Sequence, residues 1–453
     1  MNTSRLSKDG VKKTLFIVPY LAIAAVSVFL GLLQRPGYIL WGDSYVRWGF
    51  AKKIAENGLF YDYALLGFQN WHNTFPTLLQ GIFWSFVPSL TAFSISQAFI
   101  TISSSYLLFN CFFRKRTSLT LSLLFFLYPV NAVFSVMHMP DAMIVPFVML
   151  SVMVFIKRGL LIDKTNVYFY YFSIFTLFIC AVWVRPSFAV TAPIYAWFIF
   201  DKYKMKIIMA IVITIFTALT MNVWDKILNV AIFSPASVGM ASEIAGISKA
   251  TNGRVCYDCL DKFGSTDNSR KFYSDSDVGK ILWGNQPALI PSKVASKDNS
   301  REIFNLYVKA IKEAPIEFIK MKVRKTMLLI GVTEPVWFMG AYDSSENEKL
   351  SELCSNCKMS KYREEINYTA MRSVVIPYFP IHPWVLILFS SACVVLCPKE
   401  DRKNIGFVVC VGIAFYSSFI LNLQRIEFRY FYLTWVLLCH ASIISLLLKM
   451  RSR

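Results

Sequence analysis

The chain has 453 residues, of which 55% are apolar and only 17% charged, and its formal net charge is +19. Soluble domains average about 25% charged residues, so this composition excludes an ordinary soluble protein, and the high hydrophobicity excludes intrinsic disorder. Ten cysteines in so long a chain are too few for a disulfide scaffold. The composition therefore predicts a membrane protein.

Ten apolar runs are close to the roughly 20 residues that a membrane-crossing helix needs. They are 14–33, 92–112, 118–136, 142–156, 167–183, 187–200, 206–223, 373–396, 405–423 and 430–448. Pro146 and Pro193 interrupt two shorter runs, as expected of helices that are kinked or border a cavity. Two broken apolar stretches, 76–90 and 326–342, are expected at the outer interface. We predict an all-α polytopic membrane protein of about ten transmembrane helices.

The basic residues are distributed as membrane insertion requires. If the N-terminus is cytoplasmic, the short inner connections hold 19 Lys and Arg and the short outer connections hold 7, which agrees with the cytoplasmic excess of basic residues. The long connection 224–372 holds 21 basic and 18 acidic residues, so no nucleic-acid partner is needed to explain the charge. We predict an N-terminal transmembrane module over 1–223, a small external domain of mixed helices over 224–372, and C-terminal transmembrane helices over 373–453.

The first external loop, 34–91, carries a candidate catalytic residue. Apolar residues near helical spacing predict an amphipathic surface helix over 44–57, with Asp43 as its N-cap and Gly58 as its C-cap. Asp43 either only caps the helix, or is a general base held ionised by backbone N–H groups and the helix dipole. Lys52 either attracts an anionic headgroup or lies on a solvated helix face.

The tip between the third and fourth runs reads Met137-His138-Met139-Pro140-Asp141. A carboxylate where a helix re-enters lipid is costly unless it is paired, solvated or functional, so Asp141 is a second catalytic candidate, with a helix cap as the simpler explanation. His138 is either an interfacial histidine or a substrate contact. Together with His72 and Asp43 it could complete a divalent-cation site, although no spacing requires one. No cofactor is otherwise indicated.

Arginines at the outer ends of two hairpins are exceptions to the cytoplasmic excess of basic residues. Arg185 ends the fifth run, and Arg425, Glu427 and Arg429 lie in the last external tip. Snorkelling, or pairing of Glu427 with a neighbouring arginine, is the simple explanation. The functional explanation is a pair of guanidinium forks that bind a phosphate at headgroup level.

The predicted external domain carries two Cys-x-x-Cys pairs, Cys256 with Cys259 and Cys354 with Cys357. A compartment outside the cytoplasm favours disulfides, for which three connectivities are open, over a zinc site or redox activity. The sequence contains no P-loop, Gly-rich nucleotide motif, GxSxG or HExxH. A soluble nucleotide substrate therefore has no recognisable binding loop.

The order of these motifs resembles the GT-C glycosyltransferases that use polyprenyl-phosphate sugars. The shared elements are Gly42-Asp43, Pro76-Thr77-Leu78-Leu79, Arg114-Lys115-Arg116, Pro140-Asp141, Arg185-Pro186 and Glu427-Phe428-Arg429-Tyr430. The chain departs from that pattern in having Ser44 where many members have Glu, an arginine four rather than three residues after Asp43, and fewer helices. Its length, helix number and single external domain also resemble the bacteriophage serotype-converting O-antigen glucosyltransferases.

The resemblance implies an inverting glycosyltransferase of the bacterial inner membrane, with both termini cytoplasmic and a periplasmic active site. Its partners would be a polyprenyl-phosphate sugar, with glucose as the sugar, an O-antigen or other envelope glycan as acceptor, and membrane lipid. Asp43 would be the catalytic base and Asp141 the acidic residue of the second loop, with Arg185 and Arg429 on the donor phosphate. An O-antigen polymerase or ligase that uses a lipid diphosphate is one alternative. A flippase or transporter is the other, and the absence of charged residues inside the ten runs disfavours it.

Overall fold

A computed structural model describes residues 4–36, 41–70, 74–164, 167–282, 287–334, 336, 360, 362, 365–366, 369–370, 372, 382–421 and 427–452. The side chains of residues 4–16, 41–43, 160, 163–164 and 421 are not part of this description. Within it the regular structure is helical, and the β pairing consists of isolated bridges. The prediction of an all-helical chain is confirmed for this part of the protein.

The helices follow one another in three groups. The first group is α1 (Ser4–Leu33), α2 (Trp41–Asn57), α3 (Thr74–Phe86), α4 (Leu90–Phe109), α5 (Lys115–Leu127), α6 (Pro129–Ser135), α7 (Pro140–Ile156), α8 (Arg158–Lys164), α9 (Val167–Val184), a 3-10 helix (Pro186–Thr191), α10 (Ala192–Ile199), α11 (Tyr203–Thr220) and α12 (Val223–Ile227). The second is α13 (Pro235–Ala250), a 3-10 turn (Asp261–Phe263), α14 (Thr266–Phe272), α15 (Gly279–Leu282), α16 (Pro291–Val294), α17 (Lys297–Glu313) and α18 (Pro315–Leu329). The third is α19 (Pro383–Leu396), α20 (Lys399–Leu421) and α21 (Phe428–Arg451).

Several helices are suited to a lipid environment. Five in the described residues are long and apolar enough to cross a membrane: α4, α9, the span Tyr203–Ile227 that joins α11 to α12, α20 and α21. Helices α5 and α6 meet at an angle of 88° and would together form a sixth span. Shorter apolar helices cover the other runs, in Ile17–Leu33, α7, Pro186–Ile199 and α19. Each of the ten runs thus contains an apolar helix, while the number of ten crossings stays a prediction.

Burial distinguishes central from peripheral helices. In α21, 72% of the apolar window is buried inside the protein, whereas in Tyr203–Ile227 the share is 11%. The Tyr432 ring of α21 stacks on Phe134 of α6 with centroids 4.2 Å apart, and Trp435 Nε1 donates a hydrogen bond to Asn131 Oδ1 at 3.1 Å. Exposing the apolar surface of α11 to water would cost free energy, so a helix this exposed needs lipid as its solvent. Helix α21 is therefore central and α11 peripheral.

The long helices connect two ends of the molecule. Lys403 Nζ lies 3.4 Å from Asp201 Oδ1, so the basic connections before α11 and at the start of α20 share one end. At the other end, the Arg185 guanidinium lies 5.8 Å from the Phe419 ring centroid, near the C-terminus of α20. These contacts agree with the predicted alternation of inner and outer connections for this part of the chain.

The first external loop is joined to the segment that follows α12. Ala64 N donates a hydrogen bond to Asn229 O at 2.8 Å, and Ala231 N donates one to Phe68 O at 2.9 Å. The buried carboxylate of Asp225 accepts hydrogen bonds from Asn70 and Thr74 in the first loop. The apolar span Tyr203–Ile227, which joins α11 to α12, includes position 223, and the domain boundary there stays a prediction.

A second hydrophobic core lies within 238–321, apart from the core of the apolar helices. Ile244, Phe263 and Ile303 are fully buried in it. This core corresponds to the predicted external domain, whose position outside the membrane stays a prediction. Cys256 and Cys259 form a disulfide beside it, as one of the three predicted connectivities requires, whereas Cys354 and Cys357 lie outside the described residues.

Candidate functional site

Helix α2 carries Asp43, the first candidate site residue, and differs from the predicted helix in two ways. It begins at Trp41, so the backbone of Asp43 lies in the first turn and not at the N-cap; the Asp43 side chain is outside the described residues. The helix is also packed rather than superficial, because Trp48 and Ala51 are fully buried. At its closest approach to α3, a Cβ added to Gly81 would lie 2.9 Å from Ala51 O, so only glycine fits there.

The start of α2 is fixed against the tip that precedes α7. The buried Ser44 hydroxyl contacts Met139 Sδ at 3.0 Å and His138 O at 3.3 Å. The buried Arg47 guanidinium contacts Met139 Sδ at 2.8 Å through Nη2. The backbone of residue 43 therefore lies beside the segment that leads into Asp141.

His138 has a structural position. Its imidazole is fully buried, with Nδ1 2.9 Å from the donor Trp48 Nε1 and Nε2 2.6 Å from Ser94 Oγ. The ring also packs edge to face with Phe93 at 5.1 Å. Both nitrogens are engaged, so the prediction that His138 contacts substrate is not supported. The ring instead holds the tip between α2 and α4.

Asp141 and Arg185 form an ion pair across two connections. Arg185 Nη2 lies 2.9 Å from Asp141 Oδ1, with the side chains 18% and 3% exposed respectively. Pro140 begins α7 and Asp141 follows in its first turn, while Arg185 comes directly after α9. The buried carboxylate is therefore engaged, and the partly accessible guanidinium is the member of the pair that faces outward.

Glu427 and Arg429 form a second ion pair at the start of α21. Arg429 Nε lies 2.5 Å from Glu427 Oε2, and the side chains are 14% and 0% exposed. Arg429 Nη2 also donates a hydrogen bond to the Tyr430 hydroxyl at 2.9 Å. Here too the carboxylate is buried and the guanidinium is partly accessible. The predicted pairing of Glu427 with a neighbouring arginine is present.

The two ion pairs meet at Tyr430. The guanidinium carbons of Arg185 and Arg429 lie 5.2 Å and 4.8 Å from the centroid of its ring, so they are at most about 10 Å apart. Two carboxylates and two guanidiniums give this group no formal net charge. We call Asp141, Arg185, Glu427, Arg429 and Tyr430 the charged cluster.

Donors beside the charged cluster lack partners. Arg185 Nε and Ser187 Oγ are buried, and within the described part of the chain neither has a hydrogen-bond partner. A buried donor without an acceptor costs about 1–3 kcal/mol. A guanidinium has enough N–H groups to bind an anion such as a phosphate while keeping its carboxylate.

The remaining candidates are placed elsewhere or lie outside the described residues. Lys52 Nζ lies 5.0 Å from the Trp84 ring centroid, and burial lowers the pKa of this lysine, while Glu56 acts in the opposite direction. The description does not reach Arg425 or His72. Within the described residues, no group of three His, Cys, Asp or Glu side chains could hold a metal ion, and the suggested combination of His138 with His72 and Asp43 is untested.

Tyr430, Arg47 and Ser187 were missed as individual site residues. Tyr430 follows Arg429 directly, and Arg47 lies one helical turn after Asp43, so their positions in the sequence were the available signals. Ser187 gives no sequence signal of its own, because it becomes part of the site only through the 3-10 helix that follows Arg185.

In the described residues the chain is helical, with apolar helices long enough to cross a membrane, and three connections between helices bring the charged cluster together. No protein-family model, curated protein or solved structure that was compared with the chain matches it.

Proposed function

We propose that the protein is an inverting membrane glycosyltransferase that moves a sugar, with glucose the first candidate, from a polyprenyl phosphate to an O-antigen or other envelope glycan at the periplasmic face of the bacterial inner membrane. The observation that carries this proposal is the convergence of Arg185 and Arg429, from separate hairpins, on Tyr430. Beside them lies the start of α2, whose backbone carries Asp43. Two guanidinium groups that converge at one end of the apolar helices suit the phosphate of a lipid-linked substrate.

The reaction needs a base and an anion site more than it needs a strong acid. The acceptor hydroxyl attacks the anomeric carbon as Asp43 takes its proton, and the bond between that carbon and the phosphate oxygen breaks. The leaving phosphate keeps the bonding electron pair and gains one negative charge. Arg185 and Arg429 stabilise that charge as it develops, which is where preorganised cations contribute most to catalysis.

The buried carboxylates act on the arginines. Asp141 and Glu427 are 3% and 0% exposed, so each holds a guanidinium in one orientation while the remaining N–H groups face the phosphate. A fixed guanidinium loses less conformational freedom on binding than a free one. In this account Asp141 is a positioning residue for Arg185, and the catalytic base is Asp43.

The direct test is transfer of labelled glucose from polyprenyl phosphate to glycan in membranes that contain the protein. Asp43→Asn should insert normally and lose transfer, whereas Glu56→Gln, a matched change at an exposed position of the same helix, should retain it. Full turnover by Asp43→Asn would remove the residue from the mechanism.

Parallel assays distinguish the alternatives. Transfer of glycan from a lipid diphosphate, with none from the lipid phosphate, would identify a polymerase or ligase. Movement of the lipid-linked sugar across the bilayer without transfer would identify a flippase. The proposed function predicts transfer from the lipid monophosphate.

A further inference from the structure

Helix α18 carries an apolar stripe that the described part of the protein leaves exposed. Ile316, Ile319, Val323 and Met327 are 60%, 59%, 51% and 40% exposed. Their spacings of three or four residues place them on one face of the helix. Water would make such a stripe unfavourable, so another apolar phase or molecule is needed to cover it.

The opposite face of α18 is attached to the protein by buried contacts. Met321 packs in the second hydrophobic core. Glu243 accepts hydrogen bonds from Tyr307 at 2.7 Å and from Lys322 at 2.6 Å, and Lys325 Nζ lies 3.4 Å from it. The helix therefore has a fixed rotation, and the stripe faces outward because the other face is occupied.

The C-terminal end of α18 is bound to the apolar helices. Trp384 N in α19 donates a hydrogen bond to Ile330 O at 3.1 Å, and the Tyr416 hydroxyl in α20 donates one to Leu329 O at 2.5 Å. Trp384 and Leu388 are themselves 39% and 62% exposed. The end of α18 is therefore held against α19 and α20, and α19 has exposed apolar residues of its own.

Further contacts locate this helix at the same end of the molecule as the charged cluster. Lys322 Nζ donates a hydrogen bond to Ile420 O at 3.3 Å. Ile420 follows Phe419, whose ring lies 4.9 Å from that of Tyr430. An apolar stripe at this end lies near the ends of the apolar helices, where a membrane interface is expected.

The margin of the stripe is basic. Lys320 and Arg324 are exposed next to it, since each lies one turn from a stripe residue on the helix surface. Arg324 also pairs with Asp275, with Nε and Oδ2 3.0 Å apart, and Glu317 is the acidic residue of α18. Apolar side chains bordered by basic ones are typical of helices that lie in the headgroup region of anionic membranes.

We propose that the exposed face of α18 lies in the membrane interface and binds anionic phospholipid, with the four apolar side chains among the upper acyl chains and with Lys320 and Arg324 at the headgroups. This contact ties the domain of the second core to the bilayer beside the charged cluster. It does not depend on the proposed enzymatic function.

The test uses the full-length protein with the photoreactive residue p-benzoylphenylalanine at position 319, in nanodiscs of equal parts phosphatidylcholine and phosphatidylglycerol. A matched control has the same residue at Phe304, which is 53% exposed on α17. After illumination, mass spectrometry identifies what is attached. We expect phospholipid adducts at 319 and none at 304, with phosphatidylglycerol enriched over its share in the nanodisc.

Charge variants in the same experiment test the headgroup contact. Lys320→Gln and Arg324→Gln should each lower the ratio of phosphatidylglycerol to phosphatidylcholine adducts by up to about fivefold, while Lys309→Gln, whose side chain is 71% exposed on α17, should leave that ratio unchanged. Absence of lipid adducts at 319, equal adducts at 304, or crosslinks to a second copy of the chain would overturn the proposal. Lipid adducts without headgroup enrichment would overturn its anionic selectivity.

Discussion

The ion pair between Asp141 and Arg185 gives the sharpest prediction about the charged cluster. At 2.9 Å, two unit charges attract each other by about 6 kcal/mol if the effective dielectric constant is about 20. Desolvation offsets much of that gain, but Arg185→Gln leaves a carboxylate that is 3% exposed without its cation. We expect this variant to lose about 3–5 kcal/mol of unfolding free energy.

The double variant separates stability from catalysis. Asp141→Asn with Arg185→Gln removes both charges, so we expect it to recover at least half of the stability lost by Arg185→Gln, because no unpaired charge remains buried. Transfer activity should stay about 10²–10³-fold below wild type in both variants, because the phosphate contact is still missing.

The assay combines unfolding of the purified protein in detergent with sugar transfer per folded molecule. Arg185→Lys is the matched variant, since it keeps the charge and loses the guanidinium fork. Additive effects of the two single changes on stability would refute the ion pair. Recovery of activity in the double variant would show that Arg185 serves only to neutralise Asp141.

Further predictions concern other parts of the structure. His138→Ala should lower the unfolding free energy by about 3 kcal/mol, because Trp48 Nε1 and Ser94 Oγ lose a buried partner. Unchanged thermal stability of this variant in detergent would contradict a structural role for His138. Burial lowers the pKa of Lys325, so the unfolded chain binds more protons than the native protein just below the ordinary lysine pKa of 10.5. The unfolding free energy of wild type should therefore rise relative to that of Lys325→Met as the pH rises towards that value. Parallel curves of unfolding free energy against pH for the two proteins would contradict this prediction. Mass spectrometry of the non-reduced protein should find Cys256 linked to Cys259; free thiols with bound zinc would favour the metal site.

Periodicity and composition predicted the apolar helices well, because their signal is local. All ten runs contain apolar helices, and the bend between α5 and α6 comes where Pro129 begins the second helix. The short helices α14, α15 and α16 were not predicted, since elements of seven or four residues carry too little periodicity to be recognised.

The site was only partly predictable. Asp141, Arg185, Glu427 and Arg429 stood out because charge at a membrane boundary needs an explanation. The pairing of Glu427 with a neighbouring arginine was predicted from the sequence, whereas the pairing of Asp141 with Arg185 depends on the packing of α7 against α9, which the sequence does not give. For His138 the sequence suggested more exposure than the structure shows. Its position in a connection between helices suggested that a substrate could reach it, whereas the rings of Trp48 and Phe93 enclose it.

One shared phosphate site at the ends of these hairpins is the central feature of the proposed function. Binding of polyprenyl-phosphate glucose to the purified protein, measured by native mass spectrometry, tests that site without requiring turnover. We expect Arg185→Gln and Arg429→Gln each to weaken binding about tenfold or more, and Lys309→Gln to bind like wild type. Unchanged affinity in both arginine variants, with the proteins folded, would contradict it.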